Sequence, residues 1–180
     1  CKLYSGVSWH HEIIVIDNRF ISERVNQIRN WNMEFIQGDI LDKDFIKKYC
    51  EDADVVHHLA GITDVPRTKS EVSKTQDEKI KEVGVTGTQN ILDIINHKCK
   101  IIFPSTHVVY EGINEVKTDI KEEENTKPIL SYSLSKAENE DQLKKSGKNF
   151  IILRLGSVYG YSTDSMRIDI MPNLFSKISS

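Results

Sequence analysis

The sequence contains few cysteines and prolines, and it has no long apolar run. Its 180 residues include 3 Cys, 4 Pro and 9 Gly, with a formal net charge of −3. Three widely spaced cysteines fit a reducing compartment better than a disulfide framework, so we expect a cytoplasmic protein. No run approaches the ~20 apolar residues of a membrane helix, and the chain has no excess of basic residues. We therefore expect neither a membrane nor a nucleic-acid partner.

Two pairs of adjacent histidines, His10–His11 and His57–His58, are the only pattern that suggests a metal. Neighbouring residues on a strand point to opposite faces, so neither pair forms a chelate there. No carboxylate or thiol stands at ligand spacing from them, and we predict no metal site.

Short apolar runs alternate with helical patterns along the chain. The predicted strands are 12–16, 33–37, 54–59, 100–103 and 149–155, and the predicted helices are 22–30, 42–51, 77–97, 131–145 and 172–178. This alternation is typical of an α/β fold with a parallel sheet covered by helices on both faces. Two long polar loops, 62–76 and 107–130, leave from strand carboxyl ends. Because ligands bind beyond those ends, we expect both loops to border the site.

Tyr132 and Lys136 form the sharpest candidate pair for chemistry. At i and i+4 on a helix they share one face. A phenol titrates near pH ~10, and an adjacent ammonium lowers that value towards neutrality. A Tyr-x-x-x-Lys pattern alone is more often a solvated helix face. Thr106 follows the strand 100–103, where its hydroxyl would contact a substrate and relay a proton, or would merely cap a turn.

Two carboxylates, Asp17 and Asp39, follow the first two predicted strands. A carboxylate at the end of such a strand accepts hydrogen bonds from an adenosine ribose and repels a 2′-phosphate, which favours NAD over NADP. Arg19 weakens that preference because it would pair with a phosphate. The alternative is that both are turn carboxylates.

Seven short motifs together carry a family resemblance. They are Val15-Ile16-Asp17-Asn18, Gly38-Asp39-Ile40, His58-Leu59-Ala60-Gly61, Gly87-Thr88-Gln89-Asn90-Ile91-Leu92, Ser105-Thr106 with Val109-Tyr110, Tyr132 to Lys136, and Arg154-Leu155-Gly156-Ser157-Val158-Tyr159-Gly160. In this order and spacing the chain resembles the extended short-chain dehydrogenase/reductases, the NAD-dependent epimerase/dehydratase family that acts on nucleotide sugars.

The resemblance implies a Rossmann-like doubly wound parallel sheet with NAD as cofactor. It assigns cofactor binding to Asp17, Asn18, Asp39, Ile40, Leu59, Ala60, Gly61 and Lys136. It makes Tyr132 the base that removes a sugar hydroxyl proton during hydride transfer, with Thr106 bridging and Lys136 tuning the phenol. Thr106 and Ser157 would also contact the nucleotide-sugar substrate, and the full-length protein would be a homodimer.

Departures from the family pattern narrow the expected reaction. Dehydratases usually carry Asp-Glu after the threonine, where this chain has His107 and Val108, and valine transfers no proton. We therefore expect an epimerase. The alternatives are a keto-sugar or other carbonyl reductase or dehydratase of the same family, and a non-catalytic NAD-binding or redox-sensing module. Ser157 and Gly84 each stand at a position where the family often has Asn. Glu111 separates Tyr110 from Gly112, which are adjacent in the usual family pattern.

The resemblance also bears on the extent of the chain. No G-x-G-x-x-G-like turn is present, although a dinucleotide site of this kind needs one after its first strand. We expect residues 1–160 to be a partial NAD-binding domain whose first strand is missing, and 161–180 to begin a substrate-binding region. On this expectation the sheet is truncated at both ends, and the 180 residues alone are inactive.

Overall fold

The computed structural model describes residues 12–63, 74–160 and 171–179. They divide into two compact units, one ending at Asp39 and the other beginning at Ile40. The predicted loop 62–76 falls largely outside the described residues, as do residues 161–170 of the predicted region 161–180. None of the described helices is long and apolar enough to cross a membrane.

The first unit is a strand–helix–strand arrangement. It contains β1 (Ile14–Asp17), α1 (Ser22–Asn30) and β2 (Glu34–Gln37). The two strands pair in parallel with Ile14 opposite Glu34, so their carboxyl ends lie at one edge. Val25 of α1 is 1% exposed, and Phe20 packs edge-on against Phe35 with ring centroids 5.8 Å apart.

The second unit is built on a three-stranded parallel sheet of order β3-β4-β5. Its elements are α2 (Lys43–Cys50), β3 (Val55–His57), α3 (Lys74–Lys81), a π-helical turn (Glu82–Thr86), α4 (Gly87–Ile94), β4 (Lys100–Thr106), a 3-10 turn (His107–Tyr110), α5 (Ser131–Lys145), β5 (Asn149–Leu155) and α6 (Met171–Ile178). Within the described residues the two sheets share no strand pairing.

The core of the second unit lies between this sheet and the helices α2, α4 and α5. Its buried residues include Ile46, Ile91, Leu92, Ile101, Phe103 and Leu143. Along β5 the side chains alternate: Phe150 and Ile152 pack against the core, whereas Ile151, Leu153 and Leu155 remain 40–42% exposed. The sequence predicts cover on both faces, but in this strand only one face meets the core. Arg154 falls on the inner side because it follows the same alternation.

Most predicted elements agree with the structure to within one or two residues at each end, and two differ more. Strand β4 does not stop at Pro104 but continues to Thr106, with Pro104 opposite Leu153. Pairing with β3 ends at Ile102, so the missing N–H of the proline removes no bond to that strand. The predicted helix 77–97 is divided by the π-helical turn around Gly84.

Candidate functional site

Helix α5 brings Lys136 onto the carboxyl end of β4. The ammonium Nζ donates to the carbonyl oxygen of Pro104 at 2.8 Å and lies 4.4 Å from the centroid of the Phe103 ring. Burial lowers the pKa of Lys136 from 10.5 to about 8. The side chain is therefore still mostly protonated at neutral pH, as a cation held in a largely apolar setting.

Tyr132 lies one helical turn before this ammonium. The Nζ of Lys136 is 5.9 Å from the centroid of the Tyr132 ring, as the i, i+4 spacing predicts. Tyr132 is the second residue of α5, so its position depends on the first turn of the helix. A phenol beside a lysine cation is the arrangement that favours the phenolate.

The two hydroxyl residues of the Ser105-Thr106 motif belong to β4 itself, and both are buried. Ser105 donates to Oε1 of Glu140 at 2.6 Å. Oγ1 of Thr106 accepts from the backbone N–H of Val108 at 3.2 Å, which is the turn-capping contact that the sequence left open. That contact uses Thr106 as an acceptor, so its hydroxyl hydrogen remains available for donation.

His58 is a buried neutral imidazole beneath this region. Burial and the nearby Lys136 cation lower the pKa of His58 from 6.5 to about 4, and the residue is 3% exposed. Its Nε2 lies 2.8 Å from Oγ1 of Thr88, whose hydroxyl donates to the carbonyl of Gly84 at 2.6 Å. The threonine therefore accepts from His58, which places the histidine proton on Nε2.

An open depression joins the predicted cofactor loop to the catalytic pair. Ala60 and Gly61 line it together with Tyr132, Lys136 and Gly84. A Cβ on Gly61 would meet nothing within 4 Å, and Leu59 is 71% exposed. The backbone at Gly61 is therefore open on the side that borders the phenol and the ammonium.

The predicted adenosine-side residues lie together within the first unit. Oδ1 of Asp17 accepts from the N–H of Arg19 at 2.8 Å, and Nδ2 of Asn18 reaches Oδ2 of Asp39 at 3.4 Å. The backbone N–H of Gly38 donates to the carbonyl of Asp17 at 3.1 Å. The strand ends thus present exposed carboxylate oxygens of the kind that accept from ribose hydroxyls.

The resemblance also assigns Ile40 and Ser157 to the site. One is in the core and the other is on the surface. The side chain of Ile40 is in the core, within 2.9 Å of a Cβ built on Gly87, and its carbonyl accepts from Asn90 at 3.0 Å. A cofactor contact of Ile40 would thus have to use its backbone N–H. Ser157 is exposed beyond the end of β5.

A buried ion pair that includes none of the candidate residues of the sequence lies beside the site. Arg154 donates from Nε and Nη2 to the two carboxylate oxygens of Glu140 at 2.9 and 2.6 Å. The Glu140 side chain is 2% exposed. Burial acts to raise the pKa of Glu140, but hydrogen bonds from Arg154 and Ser105 outweigh it and the pKa lies below 4.5. The available signal was Arg154 itself, because a cation within an apolar strand requires a partner.

Three known proteins illustrate what the chain is similar to. It is 30% identical over 179 residues to CDP-paratose 2-epimerase from Salmonella typhi, covering 83% of this chain and 51% of that protein. It is 30% identical over 131 residues to dTDP-4-dehydrorhamnose reductase from Aggregatibacter actinomycetemcomitans, covering 71% and 42%. The crystal structure of UDP-glucuronic acid 4-epimerase from Bacillus cereus in complex with UDP-glucuronic acid and NAD superimposes with a TM-score of 0.68 at 26% identity, covering 90% and 52%. The chain thus spans about half the length of these proteins.

The sequence model of the NAD dependent epimerase/dehydratase family matches residues 5–180. The match confirms the predicted family, the Rossmann-like α/β fold class and NAD as the cofactor of that family. The chain therefore belongs to the NAD-dependent epimerase/dehydratase family.

Proposed function

We propose that the protein is an NAD-dependent epimerase of a nucleotide sugar, with Tyr132 as the base. The observation that supports this best is the Lys136 ammonium, held by the Pro104 carbonyl at 2.8 Å and 5.9 Å from the centre of the Tyr132 ring. The proposal is also supported by the depression beside them, which brings Ala60 and Gly61 of the predicted cofactor loop next to Tyr132 and Lys136.

In the proposed reaction each residue has one task. Tyr132, as phenolate, removes the proton from the sugar hydroxyl, and Thr106 donates a hydrogen bond to the oxygen that becomes a carbonyl. Lys136 stabilises the phenolate by its charge. Bound NAD supplies the hydride acceptor and, in the reverse step, the donor. Tyr132 would then return its proton to the sugar oxygen when the carbonyl is reduced again.

Water elimination is a poorer match to these side chains. His107, the residue after Thr106, places Nδ1 3.1 Å from the carbonyl oxygen of Leu155, and Val108 follows it. Valine has no proton to transfer, so an acid–base pair at these two positions is incomplete. A keto-sugar reductase needs no such pair, and the similarity to a dTDP-4-dehydrorhamnose reductase makes it the second candidate.

The test is product analysis with the natural full-length protein. Incubation with NAD and UDP-, GDP-, dTDP- and CDP-sugars should yield an epimer of one of them, detected by NMR, with no net change in NADH absorbance. A reductase, incubated with NADH and a nucleotide-linked keto-sugar, would instead consume one NADH for each sugar that it reduces. If neither an epimer nor a reduced sugar forms from any of these substrates, catalysis is refuted and an NAD-binding module remains.

The matched substitutions are Tyr132→Phe and Tyr49→Phe. Both remove one phenolic oxygen, but Tyr49 lies at the end of α2, where it packs on Phe45 with ring centroids 5.0 Å apart. We expect Tyr132→Phe to lower kcat by about 10²–10⁴-fold, the usual contribution of a general base, and Tyr49→Phe to leave it unchanged. Undiminished turnover of Tyr132→Phe would remove this tyrosine as the base.

A further inference from the structure

At the start of helix α5 the capping contact within the helix is made by Ser133, whose hydroxyl oxygen accepts from the backbone N–H of Leu130 at 3.2 Å. The first residue of the helix is Ser131, and the preceding Leu130 is extended and makes no side-chain cap. The first N–H groups of a helix have no intrahelical partner, and a helix that leaves them unsatisfied frays at that end. Tyr132 lies in this first turn, so fraying there would move the phenol away from Lys136.

A carboxylate from elsewhere in the chain binds the two residues that precede α5 and one side chain of its first turn. Oε1 of Glu111 accepts from the backbone N–H groups of Ile129 and Leu130, each at 2.7 Å. It also accepts from the hydroxyl of Ser133. A negative charge at the start of a helix is further favoured by the helix dipole.

The loop between the 3-10 turn and α5 is folded so that Glu111 reaches this position. Lys127 donates its N–H to the carbonyl of Val109 at 2.8 Å, and Gly112 donates to the carbonyl of Lys127 at 2.9 Å. Gly112 is required at this approach, because a Cβ there would lie 2.5 Å from that carbonyl oxygen. Backbone hydrogen bonds to Lys127, from the residues on either side of Glu111, thus hold the two arms of the loop together.

We propose that Glu111 is a positioning residue for Tyr132, acting as a cap supplied from outside the helix that carries the base. It acts through Ile129 and Leu130, which lead into α5, and through Ser133 in the first turn. Lys136, one turn further on, is held independently by the Pro104 carbonyl. The distance between phenol and ammonium therefore depends on whether the first turn stays helical. This inference rests on the proposed function of Tyr132 as the base.

The test compares three substitutions at Glu111 with one control in the natural full-length protein. Glu111→Ala removes the acceptor, Glu111→Asp keeps the charge on a shorter side chain, and Glu111→Gln keeps an acceptor oxygen at the same reach. The control is Glu123→Ala, which removes an exposed carboxylate from the same loop.

We expect Glu111→Ala to lower kcat about tenfold, as the loss of charge-assisted bonds to the helix start implies. The KM values for cofactor and sugar should change less than kcat, because ground-state contacts are retained. Glu111→Asp should show part of the loss, Glu111→Gln should recover most of the activity, and Glu123→Ala should match the wild type. An unchanged kcat in Glu111→Ala, or a loss in Glu123→Ala as large as in Glu111→Ala, would overturn the proposal.

Amide hydrogen exchange tests the cap without reference to catalysis. In Glu111→Ala the amides of Ile129 and Leu130 and of the first turn of α5 should exchange faster than in the wild type, while those of β4 should not. Unchanged exchange would overturn the cap whatever the kinetics. If the wild type catalyses nothing while the exchange result holds, the proposed function fails and the cap stands.

Discussion

Helix α5 meets strand β4 at two points, and the two contacts differ in charge balance. At the first, Lys136 places its ammonium on the Pro104 carbonyl, and within the described residues no carboxylate pairs with it. At the second, one turn further along the helix, Glu140 accepts from Ser105 and from two nitrogens of Arg154. Among the described residues the Lys136 cation thus has no carboxylate partner, whereas the Arg154 cation is paired with Glu140.

Under the proposed function, this difference distinguishes a charge that takes part in catalysis, Lys136, from an ion pair that stabilises the fold, Glu140 with Arg154. An uncompensated buried cation is costly, which the lowering of the Lys136 pKa to about 8 records. Such a cost is retained where the charge has a task, which under the proposed function is the stabilisation of the Tyr132 phenolate. A paired ion such as Glu140 with Arg154 fixes the helix on the sheet without leaving charge for chemistry.

The largest effect should come from breaking the balanced contact. Glu140→Gln keeps the shape but leaves Arg154 without its carboxylate, and we expect a loss of about 3–5 kcal/mol in the free energy of unfolding. Urea denaturation measures it. Glu138→Gln, an exposed change on the same helix, should stay within about 0.5 kcal/mol of the wild type. A loss below about 1 kcal/mol for Glu140→Gln would mean that the pair compensates no buried charge.

Substitution of Lys136 should have the opposite effect on stability and should also lower the activity. Lys136→Met should lower kcat/KM at pH 7 by about 100-fold, because under the proposed function the Tyr132 phenolate loses the cation that stabilises it. Activity should partly recover as the pH is raised to 9 or 10. The same variant should be more stable than the wild type, since it removes a half-buried cation that no carboxylate of the described residues pairs with.

The sign of this stability change follows from the pKa. A lysine whose pKa falls from 10.5 to about 8 on folding is charged at a cost below pH 8, so wild-type stability should rise as the pH increases from about 8 to 10.5. Urea denaturation at pH 7, 9 and 10 should show that rise in the wild type and lose it in Lys136→Met. A rise of equal size in both proteins would contradict the assignment to Lys136.

The smallest effect should come from His58, which is neutral and is paired only by a hydroxyl. Thr88→Val leaves the Nε2–H of His58 without an acceptor and should cost about 1–3 kcal/mol in the free energy of unfolding. Thr86→Val, an exposed threonine two residues earlier, is the matched control. A cost for Thr88→Val that reaches the Glu140→Gln value would show that burial, not charge, dominates this region.

The sequence predicts the local elements better than the contacts between them. Helices α1 and α5 and strand β5 begin and end at the predicted residues, because continuous apolar or helical patterns define them. The pairing of Tyr132 with Lys136 follows from helical spacing alone. The contact of Lys136 with Pro104 does not, because it depends on how α5 packs on β4.

Two other features required the structure for a similar reason. Glu111 interrupts a family motif in the sequence, and only the folding of the loop after it brings its carboxylate to Leu130. The core position of Ile40 follows from its packing against Gly87, which lies 47 positions further along the chain. Long-range contacts of this kind are decided by tertiary packing and leave no periodic signal.

The π-helical turn at Glu82–Thr86 has a consequence for which changes of length the chain tolerates. An α-helix advances about 100° per residue, so a deletion that made this turn regular would rotate α4 about its own axis by that amount. Thr88 would leave His58, and Asn90 would leave the Ile40 carbonyl that it now holds at 3.0 Å. A library of single-residue deletions should therefore be depleted at these five positions, although they carry no catalytic side chain and Thr86 is exposed.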